Sequence, residues 1–486
     1  MATVRVRQDV WDLGGDDDPW RDPVIVAYAD GVEAMMKLAE SDPSNPANWV
    51  NQAAIHKHAG PSVPDRLEDQ CQHACWFFFP WHRMYLLKFE QIIRSHLDPA
   101  VAEDWALPYW NYSDNPKRSA LPPAFRRPER PDGTDNPLFT QLRNVSDAVD
   151  INAGNPLLPA AVSLVAAMKP DVFTRSVPGA TPGFGGGRTQ PLFHHGQDGP
   201  FGPLEGTPHG SVHNQVGGVN GLMTSLRTAA LDPIFWLHHA NIDRLWEVWL
   251  RSNPPHSNPT DGEWLMMPFD FVDELGTRVS MAVSEVLEIE NQLHYTYRGL
   301  PPAPPPPPPV PAEREEVRLT SDELPAEMVG ATGEPVVLEG AKPAQTGFEL
   351  SAPAGPVAGI LAAEAREPVS YLNVEVEGEE NPGLLYGVYV NLPPGEPAEP
   401  ESSHYVGALS FFGIETTVPD EAAEEAPHRL RYVFDVTATV AELTAQGRWD
   451  PGHLHVTFAP IGVGPDTQLE AARPTVRVSH VSLFVE

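Results

Sequence analysis

Apolar residues recur at helical spacing in two long stretches of the chain. In the first, around the stretch Cys71 to Glu90, the residues His82, Leu86, Phe89 and Ile93 fall at i, i+4, i+7 and i+11, one face of an α-helix turned toward a core. In the second, between Asp232 and Trp249, Phe235, His239, Ile242, Trp246 and Trp249 form a matching stripe. Each stripe carries a histidine. His238 sits one residue off the second stripe, roughly 100° around a helix, so the pattern nominates His239 as the inward imidazole and not His238.

Weaker patterns frame these two. Val4 to Val10 alternates like a short strand, and Pro23 to Glu40 reads as a helix ended by Pro43 and Pro46. Trp49, Ala53 and His56 share one helical face, while His58 shares another with Asn51 and Ile55. His56 is favoured as the inward residue, and His58 suits a surface. Trp105 to Tyr112 reads as core. Arg118 to Gly202 is rich in Pro, Gly and Arg and mostly loop, with a short helix expected at Ala160 to Met168. Arg251 to Met281 reads as loop, and Val283 to Glu290 as amphipathic. The run Pro301 to Pro309 is a clear boundary, because polyproline lacks backbone donors and forms a semi-rigid spacer. Beyond it, segments at Tyr371, Tyr386, Leu430, Leu454 and Val476 alternate with period two between turn residues, the pattern of a β-sandwich.

A histidine on an inward stripe is either a hydrogen-bonded core residue or a metal ligand. Several from separate segments fit a metal site better. His73 lies nine residues before His82, and His209-Gly-Ser-Val-His213 sets two imidazoles one helical turn apart. An all-imidazole set suits copper, zinc, iron or nickel, so residue type leaves zinc open. His194-His195 lies in a loop and reads as surface. Gly183 to Gly187 lacks the Lys and Ser/Thr of a phosphate loop.

Both stretches resemble the two copper-binding signatures of the tyrosinase, catechol oxidase and molluscan haemocyanin superfamily. The first reads His-x(4)-Phe-Phe-Pro-Trp-His-Arg from His73, with Glu90 eight residues beyond His82. The second reads Asp-Pro-x-Phe-Trp-x-x-His-x(3)-Asp from Asp232 to Asp243. The resemblance covers the first three hundred or so residues and continues more weakly to the C-terminus. It implies an α + β multidomain chain: a mainly helical catalytic domain over residues 1–299 with a central four-helix bundle holding two coppers, a polyproline linker over 300–311, and a C-terminal β-sandwich domain over 312–486. In plant polyphenol oxidases that last domain covers the copper site, with one side chain in the substrate pocket. The implied ligands are His56, His73 and His82 for Cu A, and His209, His213 and His239 for Cu B. Cys71 matches a cysteine that forms a thioether to the second Cu A histidine, here His73.

Other positions follow from the same likeness. Glu205, four before His209, matches a carboxylate that holds a water and accepts a proton; the alternative is a helix N-terminal acid. Gly210 stands where clear monophenol hydroxylases often carry Asn, which puts phenol hydroxylation in doubt. Asn214, after His213, either substitutes for it or caps local backbone. The substrate gate falls within Met223 to Leu226. Phe78, Trp81, Phe235 and Trp236 would keep the site dry. Asp243 and Glu90 would orient imidazoles as acceptors, or form intrahelical salt bridges with arginines. Tyr295-Thr-Tyr297 would be clasped by Arg5 or Arg7 through a cation–π contact, or would be a plain strand pair. The implied activity is oxidation of o-diphenols to o-quinones with O2 as co-substrate, reduced to water; the alternative is a haemocyanin-like O2 carrier.

Composition narrows the partners. In 486 residues, 66 Asp and Glu against 32 Lys and Arg give a net charge of −34, which disfavours nucleic acid and anionic membranes. A run of about 18 apolar residues, the length of a spanning helix, is absent. Met1 to Val10 holds no apolar signal core, so a cytoplasmic product is expected unless a partner carries it out. Cys71 and Cys75 are the two cysteines, too few for a disulfide framework or a zinc knuckle. The expected partners are a small phenol and O2.

Overall fold

The computed structural model describes residues 3–14, 18–57, 67–144, 149–191, 199–252, 254–302, 326–353, 368–414, 428–463 and 474–486. The polyproline run from residue 303, His58, and His194-His195 lie outside the described residues. No helix among them is long and apolar enough to cross a membrane.

The first half is helical. Helix α1 spans Pro23–Ser41, with Pro23 at its first position and the Asp22 side chain accepting from Val24 N. Helix α2, Trp49–His56, is capped by Asn48, whose side chain accepts from Asn51 N. Helix α3 spans Phe78–Ser95, the short α4 spans Pro99–Ala102, α5 spans Ser211–Gly217 and α6 spans Ile234–Leu250. A π-turn, Glu205–Gly210, leads into α5 with a break at Thr207. Helix α1 approaches α3 closely because Gly31 has no side chain: a Cβ there would lie 2.7 Å from Ile93 Cγ2. Helices α3 and α6 meet through Phe89 and Trp236, stacked with centroids 3.5 Å apart.

Small sheets fasten this core. Strand β1 (Arg5–Arg7) pairs in parallel with β4 (Tyr295–Tyr297), and β2 (Pro268–Val272) pairs antiparallel with β3 (Arg278–Ala282). The β2–β3 hairpin corrects the expectation of loop over Arg251 to Met281. Its signal was the alternation Phe269, Phe271, whose rings pack on Phe77 and Trp81 beneath α3. A second correction concerns Ala160 to Met168, which forms successive turns rather than a helix. Val283 to Glu290 carries a short 3-10 turn, Val283–Glu285.

The second half is a β domain. Strands β5 (Glu327–Ala331), β6 (Val336–Leu338), β7 (Ala344–Glu349), β8 (Ser370–Gly378), β9 (Tyr386–Val390), β10 (Tyr405–Leu409), β11 (His428–Asp435), β12 (His453–Pro460) and β13 (Val476–Val485) form two antiparallel sheets. One has the order β10-β9-β12-β7, the other β11-β8-β13-β5 with β6 also on β13. Their facing residues, including Leu372, Val374, Val388, Val456 and Phe458, share one core. This domain docks on the helical one. Arg175 makes a forked pair with Glu486 at 2.7 and 3.1 Å, Asn373 donates to the Gly179 carbonyl at 2.7 Å, and Phe201 N donates to the Arg431 carbonyl at 3.2 Å.

Candidate metal centre

Helices α2, α3, α5 and α6 bring histidines from distant parts of the chain to one buried place. His56 ends α2, His73 precedes α3, His82 lies in the second turn of α3, His209 and His213 straddle the start of α5, and His238 and His239 lie on α6. Two clusters result. One is His56, His73 and His82; the other is His209, His213, His238 and His239, and within each the candidate ligand atoms lie within 4.8 Å of one another. The clusters adjoin: the rings of His82 and His239 stack with centroids 4.5 Å apart.

The hydrogen bonds fix which nitrogen faces inward. A carbonyl oxygen only accepts, so an imidazole nitrogen bonded to one carries the proton. Nδ1 donates to Leu226 O from His56 (2.9 Å), to Phe78 O from His82 (2.8 Å), to Glu205 O from His209 (3.1 Å) and to Met223 O from His213 (2.8 Å). Each ring thus turns a bare Nε2 lone pair to the centre. Backbone anchoring of the far nitrogen is the usual support of a metal-binding imidazole. His213 Nε2 and His239 Nε2 stand 3.4 Å apart. Burial, reinforced by neighbouring imidazoles, holds His82, His209, His213, His238 and His239 well below the ordinary histidine pKa, so the rings stay neutral and able to ligate. The donor set therefore fits a pair of metal ions.

His238 departs from the helical-stripe reading. It is as buried as His239, with its ring 4.8 Å from that of His213 and 5.4 Å from that of His209. Neither of its nitrogens has a hydrogen-bond partner among the described residues. Helix α6 is buried nearly all round, so a residue off the stripe is no more exposed than one on it.

Around the histidines the walls are aromatic. The Phe235 ring packs 4.2 Å from His239 and 5.1 Å from His56, and Phe78 packs 4.6 Å from His82 and 4.8 Å from His209. Trp81 lies 4.8 Å from His82. Cys71 Sγ lies 3.2 Å from His73 Nδ1. Glu205 is buried, and its Oε1 accepts from Ala74 N at 2.7 Å. Its Oε2 is buried without a partner among the described residues. Burial pushes the carboxyl well above the ordinary range, only partly offset by the Ala74 N–H. Asn214 turns away from the histidines: its Oδ1 accepts from Asn381 at 2.7 Å and its amide donates to Leu384 O at 3.4 Å, both in the β domain.

The mouth of the centre is filled from the β domain, by Phe412. Its ring stacks on His213 at 3.8 Å and meets His209 and His73 edge-on at 5.5 and 5.9 Å. What remains between His73, Glu205, His209, Leu226 and Phe412 is a cavity of about 10 Å³, room for one water and not for a phenol. Sequence reasoning expected a side chain in the pocket without identifying it. Leu226 is the side chain of the expected gate segment that reaches this space.

The assigned roles of Glu90 and Asp243 are corrected. Neither bonds an imidazole among the described residues. Glu90 accepts from Arg7 at 2.9 Å and from Leu107 N at 3.1 Å, and Asp243 accepts from Arg83, Tyr295 and Tyr297 at 2.5 to 2.6 Å. His56, His82, His209 and His213 find backbone carbonyls instead, and the carboxylates match buried guanidinium groups. Burial alone would lower the Arg83 pKa, but Asp243, with Tyr295 and Glu247 beside it, raises it. Burial would raise Asp243, yet Arg83 and Arg7 pull it below its ordinary value. The clasp at Tyr295 and the strand pairing coexist, with the Arg7 guanidinium 3.8 Å from the Tyr295 ring centroid.

A helical core that gathers two adjoining imidazole clusters under a β domain defines a dinuclear metalloprotein. Residues 46–252 match the common central domain of tyrosinase, 258–304 the polyphenol oxidase middle domain, and 325–486 a domain of unknown function (DUF7868). The chain is 32% identical over 517 aligned positions to a tyrosinase of Hahella, covering 99% of this chain and 100% of that one. It is 26% identical to the latent chloroplastic polyphenol oxidase of Prunus armeniaca, over 90% of this chain and 71% of that one. Its fold matches that of latent apple tyrosinase with a TM-score of 0.61 at 21% identity, covering 100% and 98% of the two chains. The fold of tyrosinase from Burkholderia thailandensis matches at 0.54 and 17% identity, over 95% of each. The chain belongs to the tyrosinase and polyphenol oxidase family, whose members are dicopper oxidoreductases acting on phenols.

Proposed function

We propose that the protein is a type-3 copper oxidase of o-diphenols, made latent by its own β domain. The observation that carries this reading is the pair of buried imidazole clusters facing each other under Phe412, four of whose rings are anchored through Nδ1 to backbone carbonyls. Helices α2, α3, α5 and α6 act as the bundle that holds Cu A on His56, His73 and His82, and Cu B on His209, His213 and His239. When bound, the copper pair supplies O2 activation and takes up electrons; two catechols give four electrons and O2 becomes water.

The chain's own residues do the rest. Phe78, Trp81 and Phe235 exclude bulk water and fix the rings. Leu226 borders the space a substrate ring would take. Glu205 lines that space, and its Oε2 is buried with no partner among the described residues; in its ionised form it would serve as a general base there. It would take the proton of a catechol O–H. Gly210 offers no side chain to position a water, and Asn214 is held by Asn381, which favours diphenol oxidation over phenol hydroxylation. Cys71 is close enough to the His73 ring to form a thioether that locks that ligand.

The test is copper content and an activity panel on intact and linker-cleaved protein. Two coppers per chain are expected, with catechol oxidation and O2 uptake rising on cleavage and little hydroxylation of monophenols. Active protein without copper, or brisk lag-free hydroxylation of tyramine, would overturn the corresponding part.

A further inference from the structure

Positions 210 and 214 follow the two histidines of the second cluster, and they are four residues apart on one helical stretch. Being one residue on from His209 and His213, they lie on a neighbouring face, turned roughly 100° from the metal. The β domain contacts that face at both points. At the first, Ser410 lies over Gly210: a Cβ built on Gly210 would overlap Ser410 Oγ, while Ser410 Cβ would stand at an ordinary 3.5 Å. The backbone does not call for glycine there. Gly210 has φ −63° and ψ −33°, helical values open to any residue. At the second point, Asn381 donates to Asn214 Oδ1 at 2.7 Å, and Asn214 donates to Leu384 O at 3.4 Å.

The segment that makes the first contact also carries the plug. Ser410 is two residues before Phe412, and the Tyr432 hydroxyl on β11 ties the Ser410 carbonyl in place. The second contact comes from the loop before β9, the strand that pairs with β10. Both footholds thus hold Phe412 over His213.

We infer that Gly210 and Asn214 form a two-point latch for the β domain, so that the side chains following the two histidines set how firmly the site is shut. This rests on the shielded-oxidase reading above. Glycine at 210 is there to admit Ser410, and its effect on substrate choice is a by-product of shielding.

The test compares wild type, Gly210→Ala, Gly210→Ala/Ser410→Ala and Asn381→Ala, all as full-length copper-loaded chains. Amide hydrogen exchange over residues 405–414 reads docking, and catechol oxidation reads latency. Gly210→Ala and Asn381→Ala should each speed exchange there at least tenfold and raise intact-chain activity severalfold. The double variant should return both toward wild type, because only the Ser410 oxygen overlaps the new methyl. Wild-type exchange in Gly210→Ala, or no recovery in the double variant, would overturn the latch. If exchange responds as stated while activity does not, the latch stands and the shielding reading falls.

Discussion

At the scale of single residues, His56, His82 and His239 were legible as inward histidines because imidazole on an apolar stripe is conspicuous, whereas His238 was read as off the stripe yet joins the second cluster. What fixes the rings was not legible. The partners of Nδ1 are backbone carbonyls of Leu226, Phe78, Glu205 and Met223, and every residue has a carbonyl, so no letter in the sequence marks them. Two rings differ: His239 Nδ1 has no partner among the described residues, and the neighbour of His73 is a side chain. With Cys71 Sγ 3.2 Å from His73 Nδ1, oxidation would join sulfur to the ring with loss of the thiol hydrogen and one ring hydrogen, the two electrons going to an external oxidant such as O2. Tryptic peptide 67–83 holds both residues. In copper-loaded protein it should run two hydrogens light and resist alkylation at Cys71, while Cys71→Ser should retain less copper. A Cys71 that alkylates fully in active enzyme would remove the crosslink.

At the scale of elements, helical periodicity gave α1 nearly to the residue and the helical stripes of α2, α3 and α6, and period-two alternation gave β8, β9, β11, β12 and β13 of the β domain. It failed where an element is short or buried all round: the β2–β3 hairpin, the turns at Ala160 to Met168, and the buried second face of α6 that holds His238. The tie between elements was half legible. Tyr295 and Tyr297 on β4, Arg7 on β1, Arg83 and Glu90 on α3 and Asp243 on α6 form one buried ionic cluster. Two arginines there leave no tolerance for a lost carboxylate. Asp243→Asn should cost about 3–5 kcal/mol at neutral pH, as breaking a buried pair does, read by denaturant unfolding of protein without copper. The pH dependence has a definite sign. The folded state holds Asp243 below its ordinary 3.8, so it stays ionised where the unfolded chain takes up a proton. Its stabilisation is complete above the unfolded value and is lost as pH falls through the lowered folded value. The gap between wild type and Asp243→Asn should therefore narrow below about pH 4. A variant as stable as wild type at pH 7 would show that the cluster tolerates the loss.

At the scale of the whole molecule, the division into a helical half and a β half was read from the polyproline run and the period-two alternation beyond it, but their contact was not, because no pattern within either half encodes which residue of one will face the other. Phe412 is the consequence. It leaves about 10 Å³ beside the histidines, so a substrate ring and Phe412 compete for one space. The domain is held elsewhere, by the Arg175–Glu486 fork, by Asn373 on Gly179 and by the contacts at Gly210 and Asn214. Removing the ring alone should therefore open the pocket without undocking the domain. Phe412→Ala should raise kcat/KM for a small catechol in the intact chain at least tenfold, with hydrogen exchange over 405–409 near wild type. Bulky diphenols should gain less than small ones, because the domain still roofs the site, whereas cleaving the linker and releasing the domain should favour both alike. If Phe412→Ala stays as silent as wild type while the cleaved protein turns over, access is limited by the domain as a body and not by the ring it inserts.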